Sequence, residues 1–201
     1  MQKSVLMLAA VSAITLMACE PGGSDADVKE LRADVDALKL EVFGDPLAQC
    51  PADKIISDIS VYADTLEGLP PADQEPEAWH LANGARKGVI TAKSGLQYSV
   101  VQKGDPKAPS PVGSQQIEIN YHGFYPNGDM FDSSYTRGES MSHSANGFIR
   151  GWNEALAGMK PCEARTLYIP GDLAYGKKGR GQIPPNATLV FHMQLLGIDQ
   201  K

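Results

Sequence analysis

Ile117-Glu118-Ile119-Asn120-Tyr121-His122-Gly123-Phe124-Tyr125-Pro126-Asn127-Gly128-Asp129-Met130-Phe131-Asp132-Ser133-Ser134 reads as a strand, a tight turn and a returning strand. Ile117, Ile119 and Tyr121 recur with period two, and Asn127-Gly128 supplies the positive-φ turn of a hairpin between Tyr125 and Phe131. The same period continues outward. Leu96, Tyr98 and Val100 precede the hairpin; Leu167 and Ile169, then Leu189, Phe191, Met193 and Leu195, follow it. These segments are expected to be half-buried antiparallel strands, with an exposed loop at Gly104, Pro106, Pro109 and Pro111. In this half of the chain only Trp152 to Met159 offers a helix. Too small to bury itself, it must pack in the concave face of the sheet. The expected class is α+β: an antiparallel, strongly curved sheet wrapped around one short helix and preceded by an α-helical N-terminal extension.

That extension has its own pattern. Ser24 and Asp27 resemble a capping box, after which Val28, Leu31, Val35, Leu38 and Val42 step as a heptad seam with valine at a and leucine at d. Asp27 and Asp34 fall at g, Arg32 and Lys39 at e, so parallel partners would meet with opposite charges. A short coiled coil over residues 25–43, making a homodimer, is one reading; a helix that packs on its own chain is the other. Gly44 and Pro46 end it. A second helix is expected from Pro51, with Ile55, Ile56, Ile59, Tyr62, Ala63 and Leu66 on one face, stopped by Gly68 and Pro70-Pro71. After a proline- and acid-rich linker, Glu77 to Arg86 is expected to form a third, shorter helix.

The beginning of the chain resembles a secretory signal: Lys3, an apolar run from Val5 to Leu16, then Leu16-Met17-Ala18-Cys19. The run is about a dozen residues, short of the roughly twenty that span a bilayer. By resemblance to bacterial lipoproteins, residues 1–18 would be removed and the Cys19 sulfur would carry lipid, with Glu20 favouring an outer-membrane anchor facing the periplasm. Loss of Lys3 takes the formal net charge from −6 to −7. Such a balance argues against a nucleic-acid partner, whose phosphates need a basic face. Besides Cys19 the chain has Cys50 and Cys162, an even pair for which an oxidising compartment allows a disulfide, two separate thiols or an intermolecular bridge through Cys50. The domain scheme is a signal peptide over 1–18, a lipid-anchored helical extension over 19–86, and a sheet domain over 87–201.

Several phrases of the last segment occur together: Ser94-Gly95-Leu96-Gln97-Tyr98, Asn120-Tyr121-His122-Gly123, Phe131 to Glu139, Ile149-Arg150-Gly151-Trp152, and Leu173 to Gly176. In this order and spacing the chain resembles FKBP-type peptidyl-prolyl isomerases. The helical extension resembles that of dimeric periplasmic and surface members, including the macrophage infectivity potentiator group. The resemblance implies a pocket floored by Trp152, walled by Tyr121, Phe131, Phe148, Ile149 and Phe191, and rimmed by Asp132 and Tyr175. It also implies that the Ile149 N–H and the Tyr175 hydroxyl donate to ligand carbonyls, and that His143 and Ile183 contact substrate. Proline-containing polypeptides are the implied clients and macrolides candidate inhibitors; no cofactor and no metal is expected. His143 stands where most members carry an aromatic residue, Ala145 where a larger aliphatic is common, and Arg180 in a loop that is often apolar. One wall should therefore be more polar and roomier.

The chemistry explains the residue types. Rotating an X–Pro bond breaks amide resonance against a barrier of roughly 18–20 kcal/mol, and the twisted state has a smaller dipole than the planar one. A dry aromatic hollow favours that state relative to water. Aromatic residues at alternating strand positions also serve simply as core. A non-catalytic module that holds proline segments is the rival reading, and Ser133 and Ser134 have no triad context that would make them nucleophiles.

Overall fold

The structure, a computed structural model, describes residues 49–199. The signal segment, Cys19 and the heptad helix expected over 25–43 lie outside the described residues. Two 3₁₀ segments, Ala52–Lys54 and Ile59–Thr65, come first, followed by α1 (Pro76–Gly84), β1 (Ile90–Thr91) and β2 (Gln97–Gln102). Then come β3 (Gln116–Phe124), β4 (Met130–Ser133), the single-turn α2 (Ser134–Arg137) and β5 (Met141–Ser144). α3 (Arg150–Gly158), β6 (Ala164–Ile169), two short 3₁₀ turns (Gly171–Leu173 and Gly176–Lys178) and β7 (Leu189–Ile198) complete the described chain.

The strands form one antiparallel sheet in the order β1-β2-β6-β7-β3-β4. β3 pairs along its length with β7, while its other edge is divided between β5 and β4. Register decides which side chains share a face. Gly123 lies opposite Phe191 of β7 and Asp132 of β4, and Leu167 of β6 also faces Phe191. On that face α3 lays Trp152, Ala155 and Leu156 against Ile117, Ile119, Leu167, Ile169, Phe191, Met193 and Leu195. α3 is thus buried against the sheet, as its size requires, whereas the single turn α2, closed by Gly138 in the left-handed region, is a helix not expected from the sequence.

The strands are less half-buried than their alternation suggests. Every residue of β6 and of β7 is buried, on both faces. Residues 50–86 cover the second face. Trp79 packs with Phe124, Tyr168 and Val190, and Ile56 and Tyr62 pack with Ala164. Polar groups there are satisfied across the join: Gln194 accepts the Ile56 N–H at 2.8 Å and donates to the Lys54 carbonyl at 2.8 Å, and the Tyr168 hydroxyl donates to the Thr65 carbonyl at 2.6 Å. Paired in this way, the even-numbered polar residues of β7 tolerate burial. Cys50 and Cys162 form a disulfide spanning 112 positions that fastens the start of this segment to the turn before β6.

The continuous second helix expected from Pro51 to Leu66 is instead two 3₁₀ segments separated by extended backbone at Ile55 and Asp58. The reason is competition for backbone donors. The Ile56 N–H goes to Gln194, and the Asp58 carboxylate restarts the chain by accepting the Ser60 N–H at 2.9 Å. The shorter helix expected near Glu77 is present as α1, begun by Pro76 in its first turn.

His192, 3% exposed, lies within this covered face. Its ring stacks on Tyr62 at 4.3 Å, lies 4.9 Å from Phe124 and 6.1 Å from His122, and Nδ1 is 3.0 Å from the Thr166 hydroxyl. Burial, with His122 adding to it, pushes the His192 pKa down to about 3. A depressed histidine binds fewer protons folded than unfolded, so its contribution is complete above about pH 6.5 and is lost as pH falls towards the folded value. Between pH 7 and pH 5 the expected loss is about 2 kcal/mol. Urea unfolding at the two pH values should show it, and His192→Gln should flatten the difference; an equally steep slope in that variant would assign the acid sensitivity elsewhere.

Candidate active site

The cavity opens on the face that carries α3 and has a volume of about 730 Å³. Its floor comes from three elements. Trp152 stands on the first turn of α3, Tyr121 on β3 and Phe191 on β7, each 4% exposed. The Trp152 ring meets Tyr121 edge-on at 5.1 Å and Phe191 at 4.9 Å, with interplanar angles of 72° and 81°. Such edge-to-face contacts direct positive ring edges at negative faces and hold each ring in one orientation. Phe131 adds a wall at 5.4 Å from Phe191, and Phe148 another at 4.9 Å from Trp152.

Gly123 makes room for two of these rings. A Cβ at that position would lie 2.5 Å from Phe191 and 2.8 Å from Phe131. Because Gly123 is paired on both sides, between β4 and β7, its backbone has little freedom to withdraw.

The polar rim is a small network. Tyr121 donates its hydroxyl proton to Asp132 at 2.7 Å, and Arg137 both pairs with Asp132 and donates to the Tyr121 oxygen at 2.8 Å. The guanidinium also lies 5.3 Å from the Tyr121 ring centre. Burial, together with the Asp132 contact, pushes the Tyr121 pKa up to about 12, so the phenol is protonated throughout the neutral range. Asp132 is thus held by two donors, one on each oxygen, leaving lone pairs of a carboxylate that can accept more.

Ile149 is the residue before α3, and its carbonyl accepts the Trp152 and Asn153 N–H groups at 3.0 and 3.1 Å. Asn153 returns its side chain to the loop, accepting from the Phe148 N–H at 3.0 Å and donating to the Asn146 carbonyl at 3.1 Å. These bonds hold Phe148 and Ile149 against the first helical turn. Tyr175 stands half-buried between the two short 3₁₀ turns, with the Arg180 guanidinium 5.8 Å from its ring centre.

All ten residues proposed from sequence for the pocket line this one cavity: Tyr121, Phe131, Asp132, His143, Phe148, Ile149, Trp152, Tyr175, Ile183 and Phe191. Cys19, proposed for lipidation, lies outside the described residues. His143 sits on the rim, its ring 4.8 Å from Phe148, and Ala145 is buried in the core beside it. Met141 and Gln182 also line the cavity and were not expected. β5, which carries Met141, has no apolar alternation to betray it as a strand. Gln182 donates to the Phe131 carbonyl at 3.0 Å, and its own carbonyl accepts from the Tyr125 hydroxyl at 3.0 Å. Those bonds join segments about fifty positions apart, and nothing local in the sequence signals them.

The signature of "FKBP-type peptidyl-prolyl cis-trans isomerase" matches residues 108–196. The chain is 40% identical over 129 residues to the peptidyl-prolyl cis-trans isomerase Mip of Coxiella burnetii, covering 64% of this chain and 55% of that protein. It is 30% identical over 172 residues to a probable FKBP-type peptidyl-prolyl cis-trans isomerase of Haemophilus influenzae, covering 85% of this chain and 69% of that one. The crystal structure of FkpA from Escherichia coli superposes with a TM-score of 0.60 at 31% identity, covering 98% of this chain and 82% of that one. The chain spans about half the length of several curated relatives that it matches. With the signature lying on the strands that build the cavity and the likeness extending beyond them, the chain belongs to the FKBP-type peptidyl-prolyl cis-trans isomerase family.

Proposed function

We propose that the chain catalyses cis–trans isomerisation of X–Pro bonds in polypeptide clients. One observation carries the reading: Trp152 meets Tyr121 and Phe191 edge-on, and the three rings form a buried floor beneath a cavity rimmed by hydrogen-bonding groups. A prolyl ring seated on that floor leaves water while its imide carbonyl stays within reach of donors at the rim. As the C–N bond twists, resonance is lost and the carbonyl becomes less polar. The aromatic floor offers it no competing hydration, so the twisted form gains relative to the planar ones. A millionfold acceleration would need about 8 kcal/mol, more than any one contact supplies. The work is distributed over the floor and rim, with no covalent intermediate.

The test is a cis-to-trans assay on a short proline peptide. Tyr175→Phe and Asp132→Val should each lower kcat/KM about tenfold, the equivalent of one hydrogen bond of ~1.4 kcal/mol. Stability should hardly change, because the Asp132–Arg137 pair is about half exposed and such pairs contribute little. Background rates in the wild type, with client binding intact, would favour the rival of a non-catalytic proline-binding module.

The cellular setting is also part of this reading. Leu16-Met17-Ala18-Cys19 supports a lipid anchor at Cys19 in the outer membrane, facing the periplasm, where the isomerase would assist folding of envelope proteins. The charge-matched heptad over residues 25–43 supports a homodimer. Mass spectrometry of the membrane-extracted protein and sedimentation with and without residues 20–45 test these two points.

A further inference from the structure

The mouth of the cavity carries an unbalanced positive charge. Asp132, the carboxylate lining it, is neutralised by Arg137 and already accepts from Tyr121. Arg180 lines it from the facing loop and makes no ion pair among the described residues. That loop, residues 176–183, contains Lys177, Lys178 and Arg180 and no carboxylate, in a chain whose overall charge is negative.

Arg180 is also held in place. Its N–H donates to the Ile183 carbonyl and the Ile183 N–H returns to the Arg180 carbonyl, both at 2.9 Å. Gly179, in the left-handed region at φ +65°, permits this reversal, since a Cβ there would lie 2.3 Å from the Ile183 oxygen. Gln182 then ties the loop to Phe131 and to Tyr125 across the cavity. The guanidinium rests over the Tyr175 ring. An arginine over an aromatic ring keeps its in-plane N–H fork open, and that fork matches a carboxylate in geometry and charge.

We infer that Arg180 is a specificity-determining residue that selects proline segments bearing an aspartate or glutamate beside the proline. This rests on the isomerase reading and names its preferred substrate class. The prolyl ring occupies the aromatic floor, while the neighbouring carboxylate reaches the Arg180 fork at the rim. Because Arg180 is exposed, the preference is modest and sensitive to salt.

The experiment compares kcat/KM for peptides with Glu, Gln or Lys placed immediately before or immediately after the proline, in the wild type, Arg180→Gln and Arg180→Glu. At low ionic strength the wild type should favour Glu over Lys roughly threefold to tenfold at one or both positions, and about 0.5 M salt should remove most of that ratio. Arg180→Gln should bring it close to one, and Arg180→Glu should invert it. Ratios taken within each variant are independent of any change in its basal rate. An unchanged Glu-to-Lys ratio in Arg180→Glu overturns the inference while leaving the isomerase reading intact. If no peptide is isomerised, the isomerase reading fails; Glu- and Lys-peptide affinities, followed by tryptophan fluorescence, then decide the charge preference by the same comparison.

Discussion

Reducing the Cys50–Cys162 disulfide should lower the unfolding free energy by about 4 kcal/mol, because it closes a loop of 112 positions and cross-links of that span restrict the unfolded chain most. For a protein of this size the midpoint of thermal unfolding should fall by roughly 8–16 °C. The site favours the bond: the two Cα atoms are 4.7 Å apart, and both cysteines are anchored by their backbones to β7, Cys50 donating to Leu196 and Cys162 to Leu195 at 2.6 and 2.8 Å. The melt should be run on oxidised protein, reduced protein and the Cys50→Ser/Cys162→Ser double variant. The reduced protein and the variant should agree with each other. Isomerase activity below the melting range should survive, since the bridge fastens residues 50–86 to the sheet and contributes no residue to the cavity. Equal melting points with and without the bond would mean that the packing of Trp79, Tyr62 and Ile56 alone holds that segment down.

The second large effect is expected at a residue that touches no substrate. Gly123→Ala should lower kcat/KM by about 10- to 100-fold, because a displacement of order 1 Å in a positioned group carries that penalty. The new methyl would need the space occupied by Phe191 at 2.5 Å and Phe131 at 2.8 Å, so both rings must tilt, and Phe191 bears on Trp152. The stability cost should be about 1–3 kcal/mol, as for other overpacked sites. A melting curve recorded beside the assay separates the two effects. Activity within twofold of wild type would show that Phe131 and Phe191 can yield without loss, and that the floor is less exacting than its geometry implies.

Much of this site is legible in the sequence. The alternation of Ile117, Ile119 and Tyr121 and of Leu189, Phe191, Met193 and Leu195 shows which side chains share a face, because a strand turns its side chains over with period two. A helix starting near Trp152, too short to stand alone, had one place to go. The phrases around Asp132, Ile149, Trp152 and Tyr175, taken together, indicated the family. The bond from Arg137 to the Tyr121 hydroxyl was not readable, since sixteen positions separate the two.

Other features resisted for a common reason. His192, Gln194 and Thr166 read as solvent-facing residues of half-buried strands, yet they are buried. Local pattern describes what a strand offers, whereas the covering of its second face depends on a segment more than a hundred positions away. The same segment misled in the other direction, where apolar spacing from Ile55 to Leu66 suggested one helix. The Ile56 N–H and the Lys54 carbonyl instead bond to the Gln194 side chain of β7, outside any helical turn.

By itself, then, the order of residues settled the period of each strand, the hairpin at Asn127-Gly128, the shortness of the central helix and the set of rings available for a pocket. These depend on side-chain alternation and backbone preferences, which act over a few neighbours. Only the tertiary structure decided that residues 50–86 bury the back of the sheet, that Cys50 meets Cys162, and that Gln182 and Arg180 close the cavity from the far side. Those outcomes depend on which distant surfaces bury together, and contacts between distant segments leave no periodic trace in the chain.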